Sequence, residues 1–257
     1  TRLQGDWSSD VCSSDLDVVT IFPQMFDAIR ESGITRIAIE RSALTLELWD
    51  PRSYSEDSYR RVDDRPYGGG PGMVMQARPL ALALREARAA GNGRVVCLSP
   101  QGKVLDHDKV QSLAGESALV LLAGRYEGID QRLLDAEVDE ELSIGDYVVA
   151  GGELPAMVLI EAMARCLPGV LGNEESAKMD SFSDGLLDWP HYTRPEEFEG
   201  RAVPQQLLSG NHEEIRRWRL KQALGQTWLR RPDLLERKLL NEEEQSLLKE
   251  FQDQYQE

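Results

Sequence analysis

Short apolar runs alternate with amphipathic segments through the first two thirds of the chain. Apolar runs that end at glycine, proline or polar residues predict strands, and an apolar period of three to four predicts helices. The predicted strands are residues 18–22, 44–48, 94–98 and 118–123. The predicted helices are residues 25–31, 34–41, 79–90, 106–113 and 154–167. The order strand, helix, strand, helix, strand indicates an α/β fold, a parallel sheet with helices on both faces.

The rest of the chain divides into segments of different character. Residues 50–72 form a long loop, which is typical of functional or mobile segments. Residues 172–195 are predicted to be an interdomain linker, because residues 168–194 show no regular period. Helices predicted at 204–209, 213–224, 232–240 and from 242 onward indicate a small all-α domain over residues 196–257. The sheet domain is therefore expected to span residues 17–171.

Residues 1–16 differ from everything that follows. Ser8-Ser9-Asp10 recurs as Ser13-Ser14-Asp15, there is no apolar period, and the first residue is not methionine. We interpret this segment as non-native or disordered and exclude it from the predicted fold.

The predicted helix over residues 154–167 is apolar on nearly all sides. Its charged residues are Glu161 and Arg165. A helix of this kind has to be covered on most of its surface, and one sheet cannot do that. The pattern therefore favours contact with a second subunit. By their spacing alone, Glu161 and Arg165 are expected to form an exposed i,i+4 ion pair.

Two glycine turns follow the last predicted strand, one over residues 124–130 and one over residues 144–155. In open α/β sheets, ligands bind beyond the carboxyl ends of the strands. Glycine lets the main chain approach a ligand closely because it has no Cβ. Two such turns, each with an acid and a tyrosine, predict a pocket walled by main chain. Two ordinary tight turns remain the alternative.

Charge and cysteine content narrow the possible ligands. The net charge is −16, yet a block from Arg216 to Arg231 has six basic residues and no acid. The three cysteines and three histidines are far apart, so no metal site is expected. The chain lacks a P-loop and a Gly-x-Ser-x-Gly elbow, which argues against an ATPase and a serine hydrolase. A ligand without phosphates fits best, and S-adenosylmethionine is such a ligand. Acids near its sulfonium cation would not repel it.

Six blocks of sequence resemble bacterial tRNA (guanine-N1)-methyltransferases of the SPOUT class. The resemblance extends from about Asp17 to Phe251, which is most of the chain. The blocks are residues 62–73, 98–102, 124–130, 143–155, 185–195 and 208–222.

The resemblance carries expectations that the spacing of residues does not. It implies a SPOUT-type parallel sheet with a C-terminal trefoil knot, and a homodimer whose active sites are shared between subunits. It implies transfer of a methyl group from S-adenosyl-L-methionine to N1 of guanine 37 of tRNA, next to the anticodon. A cytoplasmic location follows from that substrate, with no membrane contact. Whether Mg²⁺ takes part in catalysis stays open.

The resemblance also assigns roles to individual residues. Asp180 is expected to be the general base and Arg165 the catalytic cation, while Asp188 and His191 are expected to meet the target base. Arg216, Arg217 and Arg219 of the basic block are expected to bind tRNA. The expected donor-binding residues are Leu98, Ser99, Pro100, Gly102, Gly124, Tyr126, Glu127, Ile144, Gly145, Asp146, Tyr147, Val148, Val149, Gly151, Gly152 and Pro155.

This pair of catalytic residues suits the reaction. N1 of neutral guanine carries a proton, so a base must remove it as the methyl group arrives. A cation near O6 would stabilise the charge that develops. Two alternatives remain: a SPOUT enzyme that methylates another RNA position, and a non-enzymatic RNA-binding protein that uses the basic block.

Overall fold

The computed structural model describes residues 14–172 and 179–256. The chain divides into two compact units, the first ending at residue 174 and the second starting at residue 175. No helix in the described part of the chain is long and apolar enough to cross a membrane.

The first unit is built on a five-stranded sheet in which every neighbouring pair is parallel. Its strands are β1 (Ser14–Val19), β2 (Leu44–Trp49), β5 (Arg94–Val104), β6 (Ala118–Ala123) and β7 (Glu140–Ser143). Their order across the sheet is β2-β1-β6-β5-β7. A separate antiparallel pair joins β3 (Asp63–Asp64), inside the segment predicted to be a loop, to β4 (Val74–Met75), just after that segment.

The first strand begins earlier than predicted. β1 starts at Ser14, and Leu16 is 1% exposed, so residues 14–16 belong to the sheet. Excluding them from the fold was therefore wrong, and the physical reason is that Leu16 pairs with Leu46 and Leu119 and completes the apolar core. Residues 1–13 lie outside the described part of the chain.

Helices flank the sheet on both faces. They are α1 (Asp27–Arg30), α2 (Gly33–Glu40), α3 (Ala77–Gly91), α4 (His107–Ala114), α5 (Gln131–Glu137) and α6 (Glu153–Cys166). Short 3₁₀ helices occupy Pro23–Phe26 and Pro51–Tyr54. Asp106 caps α4, since its carboxylate accepts a hydrogen bond from the Lys109 amide at 2.9 Å.

The two faces of the sheet bury separate apolar clusters. Because side chains alternate along a strand, Leu119 and Leu121 of β6 pack on the face covered by α2, α4 and α6. Val120 and Leu122 pack on the opposite face with Leu80 of α3. The predicted parallel sheet with helices on both faces is confirmed.

The strand predicted over residues 94–98 is longer in the structure, where residues 99–102 also lie inside β5. The strand runs on to Val104, with an irregularity at which both Leu98 and Lys103 lie opposite Leu142 of β7. This bend carries the backbone of Ser99 to Gln101 away from the sheet and leaves it free to line a cavity.

The second unit is mainly helical. Its helices are α7 (Gln205–Leu208), α8 (His212–Arg230), α9 (Pro232–Arg237) and α10 (Glu242–Gln256). A hairpin of β8 (Glu197–Phe198) and β9 (Arg201–Ala202) precedes them, so a wholly helical composition was wrong. Leu186, within the predicted linker, packs with Leu224 and Leu247 in the core of this unit. The linker after residue 179 is therefore structurally part of the second unit.

Candidate active site

A cavity of about 440 Å³ lies in the first unit at the carboxyl ends of β5, β6 and β7. Three main-chain segments form its walls: the bend in β5, the turn after β6 and the turn after β7. A parallel sheet brings these ends to one edge, which is the usual place for a ligand in an α/β fold.

Most of the predicted donor-binding residues line this cavity. They are Leu98, Ser99, Pro100, Gly124, Tyr126, Glu127, Ile144, Tyr147, Val148, Val149, Gly151, Gly152 and Pro155. Gly102, Gly145 and Asp146 do not line it. Lining residues outside the list of expected donor-binding residues are Cys97, Gln101, Arg125, Gly128, Ile129, Gln131, Leu134, Glu141, Leu142, Ser143 and Ala150.

Gly102 has a packing role in place of a lining one. A Cβ at this position would lie 2.5 Å from the carbonyl oxygen of Glu141, and closer still to two more backbone atoms of β7. Gly102 therefore lets β5 and β7 approach at their irregular register. Gly145 has a conformational role, since its φ of 145° lies in the region that favours glycine. The Ser143 hydroxyl accepts from the Gly145 amide at 3.2 Å and stabilises that turn.

The two glycine turns are joined directly by main chain. The amide of Gly152 donates to the carbonyl of Gly124 at 2.8 Å, and Arg125 and Gly151 form an isolated antiparallel bridge. A Cβ on Gly152 would lie 2.7 Å from Cα of Ala123. Close approach of backbone to backbone therefore requires glycine here, and the two turns form one wall.

An ion pair lies behind that wall. Nε of Arg125 is 2.7 Å from Oε2 of Glu153, whose side chain is fully buried at the first residue of α6. Oε1 of Glu153 accepts from the Thr20 hydroxyl at 3.0 Å. The Arg125 guanidinium also lies 4.6 Å from the ring centroid of Phe22. Three segments that are distant in sequence thus meet at one carboxylate.

The long loop before α3 packs against the turn after β6. The Glu127 amide donates to the Met73 carbonyl at 2.9 Å, and the Met75 amide donates to the Gly128 carbonyl at 2.9 Å. Tyr126, the residue before Glu127, has a φ of 60°. Burial, together with the carboxylate of Asp63, raises the pKa of Tyr126. Burial also raises the pKa of the Cys97 thiol to about 12, so this lining cysteine stays protonated and unreactive.

The helix α6 buries one face and exposes another. Leu159, Ile160 and Met163 are fully buried within the first unit, whereas Leu154 and Val158 are 53% and 51% exposed. Arg165, the predicted catalytic cation, is exposed near the end of this helix. Glu161, its expected partner by spacing, accepts a hydrogen bond from the Thr35 hydroxyl at 2.7 Å.

A second cavity, of about 590 Å³, lies within the second unit. Among the predicted site residues, Asp180, Asp188, Arg216 and Arg219 line it. The cavity also has an apolar floor, made by Leu186, Leu187, Ile215, Leu220 and Ala223, and an aromatic wall at Trp189.

The aromatic wall of this second cavity carries a cation. The Arg219 guanidinium lies 5.0 Å from the ring centroid of Trp189, and Nε of Arg219 is buried without a hydrogen-bond partner among the described residues. His191 does not line the cavity, but its Nε2 is 2.7 Å from Oδ2 of Asp188. The backbone amide of Asp188 donates a hydrogen bond to the Ser181 hydroxyl at 3.0 Å.

The basic block is not the free cationic stretch that its sequence indicates. Arg216 pairs with Glu213 at 2.7 Å and with Glu243 at 2.5 Å. Arg217 pairs with Glu250 at 2.5 Å. Acids just before the block and on α10 therefore neutralise much of its charge, because α8 and α10 pack together.

Comparison with known proteins identifies the family. The family described as tRNA (Guanine-1)-methyltransferase TrmD matches residues 15–237. The chain belongs to this family. A protein named tRNA (guanine-N(1)-)-methyltransferase from Stutzerimonas stutzeri (strain A1501) is 60% identical over 238 residues, covering 92% of this chain and 95% of that protein. Proteins of the same name from Coxiella burnetii (strain Dugway 5J108-111) and Pseudomonas aeruginosa (strain LESB58) are 61% and 60% identical. The match to the Coxiella burnetii protein covers 92% of this chain and 96% of that protein. The match to the Pseudomonas aeruginosa protein covers 91% of this chain and 94% of that protein.

An enzyme of the tRNA (guanine-1)-methyltransferase family needs groups that can bind a methyl donor and accept a proton. Across residues 14–172 and 179–256, no cluster of three or more His, Cys, Asp or Glu side chains is arranged to hold a metal ion. The cavity in the first unit lies at the strand ends, and Asp180 lines the cavity in the second unit.

Proposed function

We propose that the protein transfers a methyl group from S-adenosyl-L-methionine to N1 of guanine 37 of tRNA. The observation that carries this proposal is the main-chain cavity at the strand ends, in a chain that belongs to the tRNA (guanine-1)-methyltransferase family. The trefoil knot, the shared active sites and the individual residue roles are parts of the same proposal.

The cavity suits the methyl donor in size and chemistry. Its volume of about 440 Å³ lies in the range typical of small-molecule sites. Main-chain amides and carbonyls of the β5 bend and of both glycine turns offer hydrogen bonds to an adenine and a ribose. Glu127 and Glu141 line the cavity and are compatible with a cation. When bound, the donor supplies an electrophilic methyl group.

The residues of this chain supply the proton chemistry. We assign Asp180 as the base that takes the N1 proton, and Arg165 as the cation that stabilises the charge developing on O6. The Trp189 ring offers a stacking surface for a nucleobase, and Arg219 an unused donor. Asp188 and His191 are assigned to contact the target base, and Arg216, Arg217 and Arg219 to contact tRNA.

The exposed face of α6 supports a homodimer. Leu154 and Val158 are one helical turn apart, and both are about half exposed. Tyr147 and Val148, from the turn that lines the donor cavity, are also exposed. An apolar patch of this kind marks an interaction surface. A second copy packed there would lie close to the donor cavity, so we assign the cavity and Asp180 of one active site to different subunits.

The path of the chain after β7 supports the knot. β7 is the edge strand next to β5, yet the turn that follows returns to β6, where Gly152 bonds to Gly124. The chain thus crosses the end of β5 before it enters α6. Such a crossing is a requirement for threading, although knots are rare in proteins.

A methylation assay tests the proposed function. Purified protein is incubated with labelled S-adenosylmethionine and tRNA transcripts that carry either guanine or adenine at position 37, with EDTA added in one arm to test for Mg²⁺. We expect label only with guanine 37, and a primer-extension stop at that nucleotide. Methylation of another nucleotide would support the alternative SPOUT enzyme. RNA binding without methyl transfer or donor binding would support the non-enzymatic alternative.

Mixing two inactive variants tests the shared active site. Gly124→Trp fills the donor cavity, and Asp180→Ala removes the base. In a mixed dimer, one site combines an intact cavity with an intact Asp180. About half of randomly exchanged dimers are mixed, so activity should return to roughly a quarter of the wild-type value per site. If native mass spectrometry shows exchange and no activity returns, the cavity and the base belong to the same chain.

A further inference from the structure

The wall of the donor cavity contains a cation that would oppose a cationic ligand. Three of the residues that line the cavity are charged: Arg125, Glu127 and Glu141. On the proposed function, the ligand is S-adenosylmethionine, whose sulfonium gives it one more positive charge than its product, S-adenosylhomocysteine. If the charge of Arg125 were not compensated, the cavity would therefore bind the product in preference to the substrate.

Glu153 compensates this charge from behind the wall. It does not line the cavity, and its side chain is fully buried against Arg125 Nε and the Thr20 hydroxyl. Burying a carboxylate is costly unless it is paired and hydrogen-bonded, and both of its oxygens have a partner here. The Arg125 side chain that it holds is 19% exposed, and Nη1 of Arg125 donates to the carbonyl of Ala150, a residue that lines the cavity, at 3.4 Å.

The main chain at Gly151 passes very close to the ion pair of Arg125 and Glu153. Gly151 passes beside the ion pair, and a Cβ on it would lie 2.6 Å from Oε2 of Glu153 and closer still to Nε of Arg125. A glycine that lines the cavity thus lets the pair sit directly behind the wall. Because Glu153 lies directly behind the wall, its charge contributes to the electrostatic potential within the cavity.

We propose that Glu153 is a positioning residue that sets the charge balance of the donor cavity: by neutralising Arg125, it lets the cavity take the cationic substrate over the neutral product. The effect follows from Coulomb's law. A unit charge roughly 8 Å away, at an effective dielectric constant of about 20 to 40, changes the affinity for a monovalent cation by roughly tenfold. The affinity for the neutral product is not changed by this term.

Glu153→Gln isolates the charge from the geometry. The glutamine oxygen can still accept from Arg125, and its amide can donate to the Thr20 hydroxyl oxygen, which already accepts from the Phe22 amide at 2.9 Å. Arg125→Gln/Glu153→Gln removes both charges. Glu153→Asp keeps the charge and shortens the side chain. Thr20→Val removes a hydrogen bond to Glu153 and no charge.

Calorimetric titration of the full-length protein with S-adenosylmethionine, S-adenosylhomocysteine and sinefungin tests the proposal. Sinefungin carries an ammonium near the sulfonium position, so it should behave as the substrate does. In Glu153→Gln, the ratio of substrate affinity to product affinity should fall roughly tenfold. The ratio should return to the wild-type value in the double variant, and it should stay there in Thr20→Val and Glu153→Asp, even where both affinities fall.

The outcomes separate this proposal from the proposed function. Wild-type protein that binds none of the three ligands would contradict the proposed function itself. Wild-type binding with an equal loss of substrate and product affinity in Glu153→Gln would show that Glu153 only stabilises the turns, and would overturn the charge proposal. If thermal melting shows Glu153→Gln to be unfolded, the double variant and Glu153→Asp still decide, since a changed ratio in either contradicts control by net charge.

Discussion

Replacing Gly102 by alanine should distort the donor cavity, although Gly102 does not line it. The added Cβ would meet the β7 backbone, 2.5 Å from the Glu141 carbonyl oxygen. Ordinary contacts of a Cβ begin near 3.4 Å, so the two strands have to separate by about 1 Å. Overpacking of this kind costs about 1–3 kcal/mol. In a unit of this size, that lowers Tm by roughly 2–4 °C for each kcal/mol.

The same displacement should weaken donor binding. The β5 bend and Ile144, the residue after β7, both line the cavity, so separating the strands changes the distance between them. We expect a loss of at least tenfold in S-adenosylmethionine affinity by calorimetry, and a loss of methyl transfer on the order of 10². Gly115→Ala is the matched control, because a Cβ there has its nearest atom at 3.5 Å and the backbone φ is −83°. Unchanged affinity and Tm in Gly102→Ala would refute the close strand approach.

Three further perturbations test other parts of the molecule. Asp180→Ala should lower the single-turnover rate of methyl transfer by about 10²–10⁴ with unchanged donor affinity, and a rate near wild type would remove its role as base. Burial raises the pKa of Asp17, so the folded state binds its proton more tightly and stability falls as pH rises above the ordinary value of 3.8. Asp17→Asn retains the acceptor for Trp49 Nε1 and should have a higher Tm at pH 7, with the difference vanishing near pH 3; equal pH profiles would contradict this. Val158→Asp should shift the protein to monomers in sedimentation experiments, and an unchanged mass would exclude α6 from the interface.

The sheet could be predicted from the sequence because its central strands are continuous apolar runs. The residues 118–123 have no alternative to burial on both faces, so β6 was predicted with its observed bounds. β7 was missed since its first two residues are acidic: Glu140 forms ion pairs with Arg94 and Lys109, which are remote in sequence. The position of Asn92, with a φ of 56° after Gly91, likewise decides where α3 ends in a way that composition alone does not.

The candidate site was predictable where glycine signals a special backbone, and not where a side chain acts through a remote partner. The two turns were recognised from Gly124 and Gly151, which line the cavity. The pairing of Arg125 was not predicted, because its partner, Glu153, lies 28 positions away. Ion pairs between segments that fold together leave no local pattern. For the same reason, the block from Arg216 to Arg231 contains no acid in its sequence, although Arg216 and Arg217 pair with acids outside it.

Those pairs change the ion balance of tRNA binding. A phosphate that binds Arg216 must displace Glu213 or Glu243, and one that binds Arg217 must displace Glu250. Each released carboxylate then gathers cations from solution while the phosphate gives up its own. For DNA, the slope of log affinity against log salt is about −0.9 per neutralised phosphate when the protein's cations are free beforehand. Exchange of one anion for another makes the slope shallower, so the number of arginines in the block overstates how strongly salt weakens the complex.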